Sequence, residues 1–350
     1  MDIFLVADDF GESECLEKIA NAFHKRGHTT TKFLGFGKKL VLTDSVLRQA
    51  LKANILLASI SGDSEMERHL TSVVRQHTNM PVVVYSINKY AFRNEKATAL
   101  REIADVLLVS SEDEIPEART LFSNAKKIEA IGNIMHEDYY PALSRFESRK
   151  IAGVSEEQKL IFVPGDKCIG INWPLFYSVI EAAHCITVQI HTPVVSLGIH
   201  PGDATYRREI YSDLVKYSRG VPVKIYTRDV LNSSILVTAC DLLVTACSSL
   251  AVAAAFQRKP IIGFFFENML AEYEDVYGTF KWEPAENESA LVVRSGSIDS
   301  LSRAMHSLLL PHSSDSRYMK KKQADNYPAP PALGSTAKKA VDIILQTIVR

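Results

Sequence analysis

Two adjacent serines, Ser248 and Ser249, lie where a strand is predicted to lead into a helix. The preceding residues 241–245 (DLLVT) are apolar and short, as a buried parallel strand is. The following run, LAVAAAFQ, consists of strong helix formers. The first N–H groups of a helix have no partners within it and attract anions, and two hydroxyls add donors there. The pattern predicts a phosphate or pyrophosphate site, although a simple helix cap explains the same serines.

An acidic group follows the first predicted strand, residues 3–7 (IFLVA). Asp8 and Asp9 come directly after this strand, and Gly11 begins the turn into a helix. A carboxylate at the carboxyl end of a strand can remove a proton from an acceptor hydroxyl, so Asp9 is a candidate general base. The alternative is structural, because acidic residues also favour helix starts. The loop lacks a GxGxxG pattern, which disfavours a nicotinamide dinucleotide site.

Short apolar strands alternate with helices along almost the whole chain. Six such strands precede residue 133 and predict a doubly wound α/β domain with a parallel sheet. Residues 134–158 are polar and irregular and are interpreted as a linker. A second alternation over residues 159–334 predicts a second Rossmann-like domain, in which Asp229 would cap a helix running through Leu236. Residues 335–350 predict a final amphipathic helix.

The bulk composition excludes several classes of protein. The 350 residues suffice for two domains, and the net charge of −1 provides no overall basic field for nucleic acid. The five cysteines form no CxxC pair, so we predict neither a zinc site nor a disulfide framework, but free thiols in a reducing cytoplasm. No signal-like start and no run of ~20 apolar residues is present, so any membrane contact would be peripheral. We expect no metal.

The stretch around the serine pair resembles the C-terminal, nucleotide-binding half of GT-B glycosyltransferases. It has a strand ending in Thr245, the serine pair, an apolar helix, Lys259-Pro260 and a further apolar strand. The likeness is greatest to CDP-glycerol glycerophosphotransferases of the teichoic-acid polymerase kind. This resemblance implies two Rossmann-like, doubly wound parallel-sheet domains that face each other across a cleft. It also implies that the C-terminal helix crosses back to the N-terminal domain.

The same resemblance implies roles for residues in other loops. His200, in the sequence IHPGD, matches a His-Pro of the family, and a histidine can bind or protonate a phosphate near neutral pH. Gly165, Asp166 and Lys167 resemble a donor-phosphate loop in which Lys167 would neutralise a leaving diphosphate; a plain turn is the alternative. Further expected contacts, to the donor base, phosphate or sugar, are Tyr226, Arg228, Val230 and Glu267.

Gly132 and Asn133, at the end of the sixth predicted strand, resemble the Gly-Asn that begins the interdomain crossover in many GT-B proteins. Glycine frees the backbone to turn sharply there. We therefore interpret this pair as a hinge, with ligand contact as the less favoured alternative. The acidic loop of Asp8, Asp9 and Gly11 would then belong to the acceptor side.

The resemblance implies a transferase that moves a sugar or polyol phosphate from a UDP- or CDP-linked donor to an unknown acceptor. The donor is a co-substrate, and no further cofactor is expected. Asp9 and His200 are the candidate catalytic residues. In this chain, Ala246-Cys247 replaces the family's Asp-Tyr, and residues 251–253 lack the ribose-binding glutamate of many GT-B enzymes. Two alternatives therefore stay open: a sugar-nucleotide 2-epimerase and a non-catalytic GT-B binding module.

Overall fold

The chain divides into two compact units. In the computed structural model, one consists mainly of Met1–Glu137 and Pro331–Arg350, and the other of Asp138–Asp275 and Thr279–Pro330. The structure describes the chain except for residues 37, 61–64, 90, 94–96, 167–168, 188–189, 191–192, 201–202, 204–207, 267–268, 272–281, 295–296, 311 and 349–350, and except for the side chains of residues 169 and 208–210.

The first unit is built on a parallel sheet of six strands, ordered β2-β1-β3-β4-β5-β6. The strands are short and largely apolar because helices cover both faces of the sheet. Along β1, Ile3 and Leu5 contribute to one apolar cluster and Phe4 and Val6 to the other. The strands are β1 (Asp2–Ala7), β2 (Thr29–Leu34), β3 (Ile55–Ile60), β4 (Val82–Ser86), β5 (Val106–Val109) and β6 (Lys127–Ala130).

Helices on both faces complete the first unit. The C-terminal helix packs against the first helix and places Ala340, Val341 and Ile344 in the same buried cluster as Ile3 and Leu5. The helices are α1 (Phe10–His24), α2 (Asp44–Lys52), α3 (Glu65–His77), α4 (Thr98–Ile103), α5 (Ile115–Leu121) and the C-terminal α14 (Ser335–Ile348), with short 3-10 helices at Ala91–Arg93, Glu112–Glu114 and Ile134–Tyr139.

The second unit repeats the plan with a parallel sheet ordered β12-β11-β10-β7-β8-β9. Its strands are β7 (Lys159–Pro164), β8 (Pro193–Gly198), β9 (Val223–Tyr226), β10 (Leu242–Thr245), β11 (Ile261–Phe264) and β12 (Leu291–Val293). Its helices are α6 (Arg145–Ile151), α7 (Ile169–Cys185), α8 (Arg208–Lys216), α9 (Ser233–Ala239), α10 (Leu250–Phe256), α11 (Glu283–Glu286), α12 (Ile298–Leu309) and α13 (Ser314–Asn326). The predicted fold class, two doubly wound α/β domains, is confirmed.

The prediction that residues 134–158 are irregular is wrong, because this segment contains the helix α6. Ser144 and Glu147 form a reciprocal capping box at the start of α6. On that helix, Arg149 is 1% exposed and donates to Ala239 O and Asp241 Oδ2, both at 3.0 Å. These bonds anchor α6 within the second unit. The serine and glutamate of this capping box are visible in the sequence, but the high charge of the segment favoured the interpretation as an irregular linker.

The predicted cap of α9 is also wrong. The helix begins at Ser233 rather than near Asp229, and Asn232 is its N-cap, with the side chain accepting from Ser234 N at 3.0 Å. Residues 228–230 form a turn instead, in which Val230 N and Leu231 N both donate to Thr227 O at 3.0 Å. The Asn-Ser-Ser sequence offers a cap three residues further on, closer to the buried stretch that this helix packs into the unit.

Candidate functional site

Most of the residues predicted to bind a donor lie along one edge of the second sheet. Strands β10, β7, β8 and β9 are neighbours and parallel, so their carboxyl ends share that edge. The loops that follow them carry the serine pair, Gly165-Asp166, His200 and residues 226–230. In open α/β sheets this edge is where ligands bind. The fold thus brings four separately predicted loops to one side of the unit.

The serine pair lies at the end of β10, with Ser248 half-buried and Ser249 exposed. Ser248 N donates to Thr245 Oγ1 at 3.0 Å, and Ser248 Oγ accepts from Leu250 N at 3.3 Å. In the part of the chain that the structure describes, neither the N–H nor the hydroxyl of Ser249 donates to another group. Ser249 therefore presents two donors to solvent, while Ser248 is engaged in shaping the turn.

The helix after the serines is short. α10 has 7 residues, and its N-cap is Ser249, without a side-chain cap bond, rather than Ser248. Its dipole is correspondingly weak, so an anion here would depend on the two donors of Ser249 more than on the helix as a whole. Ala251, Val252 and Ala253 are at most 8% exposed. The positions where a ribose-binding glutamate was sought therefore pack against the unit.

Gly165 and Asp166 form a tight turn after β7. Gly165 N donates to Gly198 O at 2.8 Å, and Asp166 N donates to Asn172 Oδ1 at 2.5 Å. A Cβ on Gly165 would lie 2.9 Å from both Asn172 Oδ1 and Gly198 O, so only glycine fits. Because both N–H groups are occupied, a phosphate contact here would have to involve side chains. Lys167, the predicted cation of this turn, lies outside the described residues.

His200 is half-buried and follows β8 directly. Its carbonyl accepts from Asp203 N at 3.0 Å, which closes a turn. Asp203 is 4% exposed, and its Oδ2 accepts from Asn172 Nδ2 at 3.0 Å and from the hydroxyl of Tyr211. The loops of Asp166 and His200 are thus joined through buried polar side chains. Neither Asn172 nor Tyr211 was predicted from the sequence, although Asn172 is a polar residue inside an apolar run.

The predicted base-binding segment follows β9, the edge strand. Tyr226 is half-buried, its carbonyl accepts from Ile199 N at 2.8 Å, and its hydroxyl donates to Ala152 O at 3.0 Å. Those bonds give Tyr226 a structural role. Arg228 and Val230 are exposed, with Val230 53% accessible, so both can meet a ligand. Glu267, predicted to contact the donor sugar, lies outside the described residues.

The acidic loop of the first unit has evident structural roles. Asp9 is the N-cap of α1, where its Oδ1 accepts from Phe10 N at 2.6 Å. Asp8 N donates to Glu67 Oε1 at 2.8 Å. Both aspartates are half-buried at the carboxyl end of β1. Gly11 has open space where a Cβ would be, so no close contact requires glycine there. The capping interpretation of Asp9 thus has direct support, and its role as a base stays a prediction.

Two buried glutamates lie behind this loop and were not predicted as a pair. Glu12 is 3% exposed and Glu67 is fully buried. The Ser59 hydroxyl is 3.1 Å from Glu12 Oε2 and 3.5 Å from Glu67 Oε1. Burial raises the pKa of Glu67 from 4.5 to about 7, and the charges of Asp8 and Asp9 contribute. In the sequence, the only indication of this buried polar site is Ser59, the one polar residue of β3.

Gly132 and Asn133 end β6 in a fixed turn. Gly132 has a φ of 97°, which glycine adopts without strain. The Tyr85 hydroxyl donates to Gly132 O at 3.0 Å and accepts from Ile134 N at 3.1 Å. Asn133 Oδ1 accepts from Met135 N at 2.9 Å. The sharp turn is present; the hinge role remains a prediction.

Among the residues that the structure describes, no three His, Cys, Asp or Glu side chains are grouped so that they could hold a metal ion. Within the same residues, no helix has both the length and the apolar character needed to cross a bilayer.

Comparison with known proteins identifies the fold. No family model and no curated protein matches the chain. Among solved structures, the UDP-GlcNAc 2-epimerase of Neisseria meningitidis, bound to UDP-GlcNAc, is similar at 11% identity over 99% of this chain and 100% of that chain, with a TM-score of 0.68. The S. aureus MnaA–UDP structure is similar at 11% identity over 99% and 97%, with a TM-score of 0.71. A Rickettsia africae glycosyltransferase is similar at 11% identity over 99% and 98%, with a TM-score of 0.61.

These similarities, together with the two parallel six-stranded sheets, show that the chain has the GT-B fold. The predicted fold is therefore confirmed. A special closeness to CDP-glycerol glycerophosphotransferases is not part of this result, since the solved structures named above are an epimerase, a UDP complex and a glycosyltransferase.

Proposed function

We propose that the protein is a glycosyltransferase that uses a nucleotide-activated sugar. The observation that carries this proposal is the carboxyl edge of the second sheet, where four loops with polar residues meet and Ser249 presents an N–H and a hydroxyl to solvent. Similar structures of nearly equal length hold UDP or UDP-GlcNAc, which favours a uridine nucleotide over other bases. A glycosyltransferase is among them.

The donor diphosphate would be held by few but well-placed groups. Ser249 supplies two donors, and Arg228, exposed in the turn after β9, supplies a positive charge. Neighbouring strands are ~4.8 Å apart, so the loops after β10 and β9 are separated by about 14 Å, a distance that an extended nucleoside diphosphate can span. His200 comes after β8, the strand between β7 and β9, and is a candidate for phosphate contact. The base and the diphosphate would thus lie along the strand ends.

The transfer breaks one bond of the anomeric carbon and forms another. The bond between the anomeric carbon and the terminal phosphate oxygen breaks, and the acceptor oxygen bonds to that carbon. The acceptor proton goes to a general base. The nucleoside diphosphate leaves with the bonding electrons, and the donors of Ser249, with Lys167, stabilise its charge.

Binding is tested by calorimetric titration of the full chain with UDP-, CDP- and GDP-sugars. We expect saturable binding of a UDP- or CDP-linked compound and none of the GDP-linked set. Absence of binding to every compound at millimolar concentration would remove the proposal. Release of nucleoside diphosphate that depends on an added acceptor distinguishes transfer from mere binding, and binding without turnover would identify the non-catalytic module instead.

A 2-epimerase is the second candidate, because similar structures of matching length include UDP-GlcNAc 2-epimerases. That reaction moves a proton at the sugar carbon and needs acid–base groups. Incubation with UDP-GlcNAc alone, followed by proton NMR of the nucleotide, separates the two functions. Formation of the 2-epimer without an acceptor would replace the transferase proposal.

A further inference from the structure

A buried polar cluster in the second unit connects two of the loops that the proposed function uses. It consists of Asn172 on α7, Asp203 after β8 and Tyr211 on α8, and we call it the loop clamp. Asn172 and Tyr211 are fully buried, and Asp203 is 4% exposed. The ring of Tyr211 packs edge-on against Phe176, with centroids 5.5 Å apart.

Asn172 forms hydrogen bonds with both backbone groups of Asp166, its N–H and its carbonyl. Its Oδ1 accepts from Asp166 N at 2.5 Å, and its Nδ2 donates to Asp166 O at 2.7 Å. An amide side chain can make both bonds at once because it carries an acceptor and donors on one plane. The same Oδ1 lies 2.9 Å from where a Cβ of Gly165 would be, so the turn and the amide fit each other closely. The backbone of Asp166 is therefore held by a single side chain.

Asp203 holds the second loop to the same amide. Its carboxylate accepts from Asn172 Nδ2 at 3.0 Å and from the Tyr211 hydroxyl, and its own N–H donates to His200 O at 3.0 Å. A buried carboxylate is costly unless such donors satisfy it. Apolar residues of similar shape would stabilise the unit at least as well, so the cluster provides fixed geometry rather than stability.

We propose that the loop clamp is a positioning device for nucleotide binding: Asn172, Asp203 and Tyr211 hold the loops of Asp166 and His200 in one relative arrangement, so that the nucleotide meets a preformed site. None of the three residues is assigned contact with the ligand. The inference rests on the proposed function for the identity of the ligand. Its structural part, the coupling of the two loops, is independent of any ligand.

The coupling is tested by amide hydrogen exchange on the full chain without ligand. Tyr211→Phe removes one hydroxyl at the His200 side of the clamp, and Asn172→Ala removes the shared amide. We expect exchange at the Asp166 amide to rise about tenfold or more in both variants. Tyr327→Phe is the matched control, because that buried tyrosine of the same unit also loses a hydroxyl that bonds polar side chains, Asn287 and Glu283.

Unchanged exchange at Asp166 in Tyr211→Phe, with the variant folded, overturns the clamp whatever the ligand is. The effect on binding is measured by calorimetry with UDP. We expect Tyr211→Phe to weaken UDP binding at least fivefold while Tyr327→Phe leaves it unchanged. Equal affinities in both variants refute the positioning role. Failure of the unmodified chain to bind UDP counts against the proposed function, whereas the exchange result decides the coupling separately.

Discussion

At the scale of single residues, Glu67 has the most unusual environment in the first unit. It is fully buried, it shares the Ser59 hydroxyl with Glu12, and Asp8 and Asp9 add negative charge nearby. Burial in an apolar interior disfavours the charged carboxylate and so favours a proton on Glu67. The pKa of about 7 means that Glu67 gives up this proton near neutral pH.

Glu67 should therefore make stability depend on pH. Its pKa is about 7 in the folded protein and 4.5 ordinarily, so between these values the folded chain binds more protons than the unfolded chain. Unfolding free energy then falls as pH rises through that window. Glu67→Gln removes the titration and should stabilise the first unit by up to about 3 kcal/mol at pH 8, with no gain at pH 4. Urea unfolding at several pH values measures this.

Glu65→Gln is the control for that experiment, because Glu65 is an exposed residue of the same helical turn and should leave the profile unchanged. A profile for Glu67→Gln that is parallel to that of the unmodified chain would contradict the assignment of this titration to Glu67.

Two glycines of the first unit should respond oppositely to alanine. Gly132 has a φ of 97°, so Gly132→Ala should lower the unfolding free energy by about 1–2 kcal/mol. Gly11 is helical with open space around it, so Gly11→Ala should raise the unfolding free energy by about 0.5–1 kcal/mol. Urea unfolding of both variants provides the comparison, and a shift of the same sign in both would refute the conformational argument.

At the scale of elements, the C-terminal helix depends on one distant side chain. Glu137 is 2% exposed, and its carboxylate accepts from Gly334 N at 2.7 Å and from Thr336 N at 2.6 Å. These groups lie at the start of α14, where N–H groups lack partners within the helix. Glu137 thus performs the function of a helix cap from a position 197 residues earlier in the chain. A negative charge there also suits the helix dipole.

Removing that cap should loosen α14 and the face of the sheet that it covers. Glu137→Ala should lower the unfolding free energy of the first unit by about 3 kcal/mol, because two charge-assisted bonds are lost and buried N–H groups are left unsatisfied. Glu129→Ala, which loses only the surface contact to Lys127, should cost less than about 0.5 kcal/mol. Far-ultraviolet circular dichroism in urea measures both, and equal losses would refute the capping role.

The elements themselves were largely predictable, and the reasons are local. Most strands are short apolar runs bounded by polar residues, so the strands predicted at residues 3–7 and 241–245 agree with β1 and β10 to within one residue. The capping of α14 by Glu137 and the contacts of Arg149 with the start of β10 join distant parts of the chain. No local pattern encodes such pairs. The loop clamp was missed for the same reason, since Asn172 and Asp203 are 31 residues apart.

At the scale of the whole molecule, the serine pair shows which features of a site can be predicted from the local sequence and which cannot. The sequence predicted its place at the end of a central parallel strand, and the structure agrees. The sequence did not predict that Ser248 is bonded within the turn while Ser249 is not, because this difference depends on the hydroxyl of Thr245. Both tryptophans, Trp173 and Trp282, belong to the second unit, so fluorescence reports on the unit that carries this proposed site.

Nucleotide binding should consequently stabilise the tryptophan-monitored transition. A ligand that binds only the folded state adds about 2.7 kcal/mol at a concentration of 100 times its Kd, so saturating UDP should raise the midpoint of urea unfolding seen by tryptophan fluorescence. Ser249→Ala should retain the unliganded midpoint, since its hydroxyl bonds nothing in the described chain, but should need about five to ten times more UDP for the same shift. Ser300→Ala, on α12, is the control with unchanged UDP dependence. A UDP-dependent shift of equal size in Ser249→Ala and the unmodified chain would place the diphosphate away from this serine.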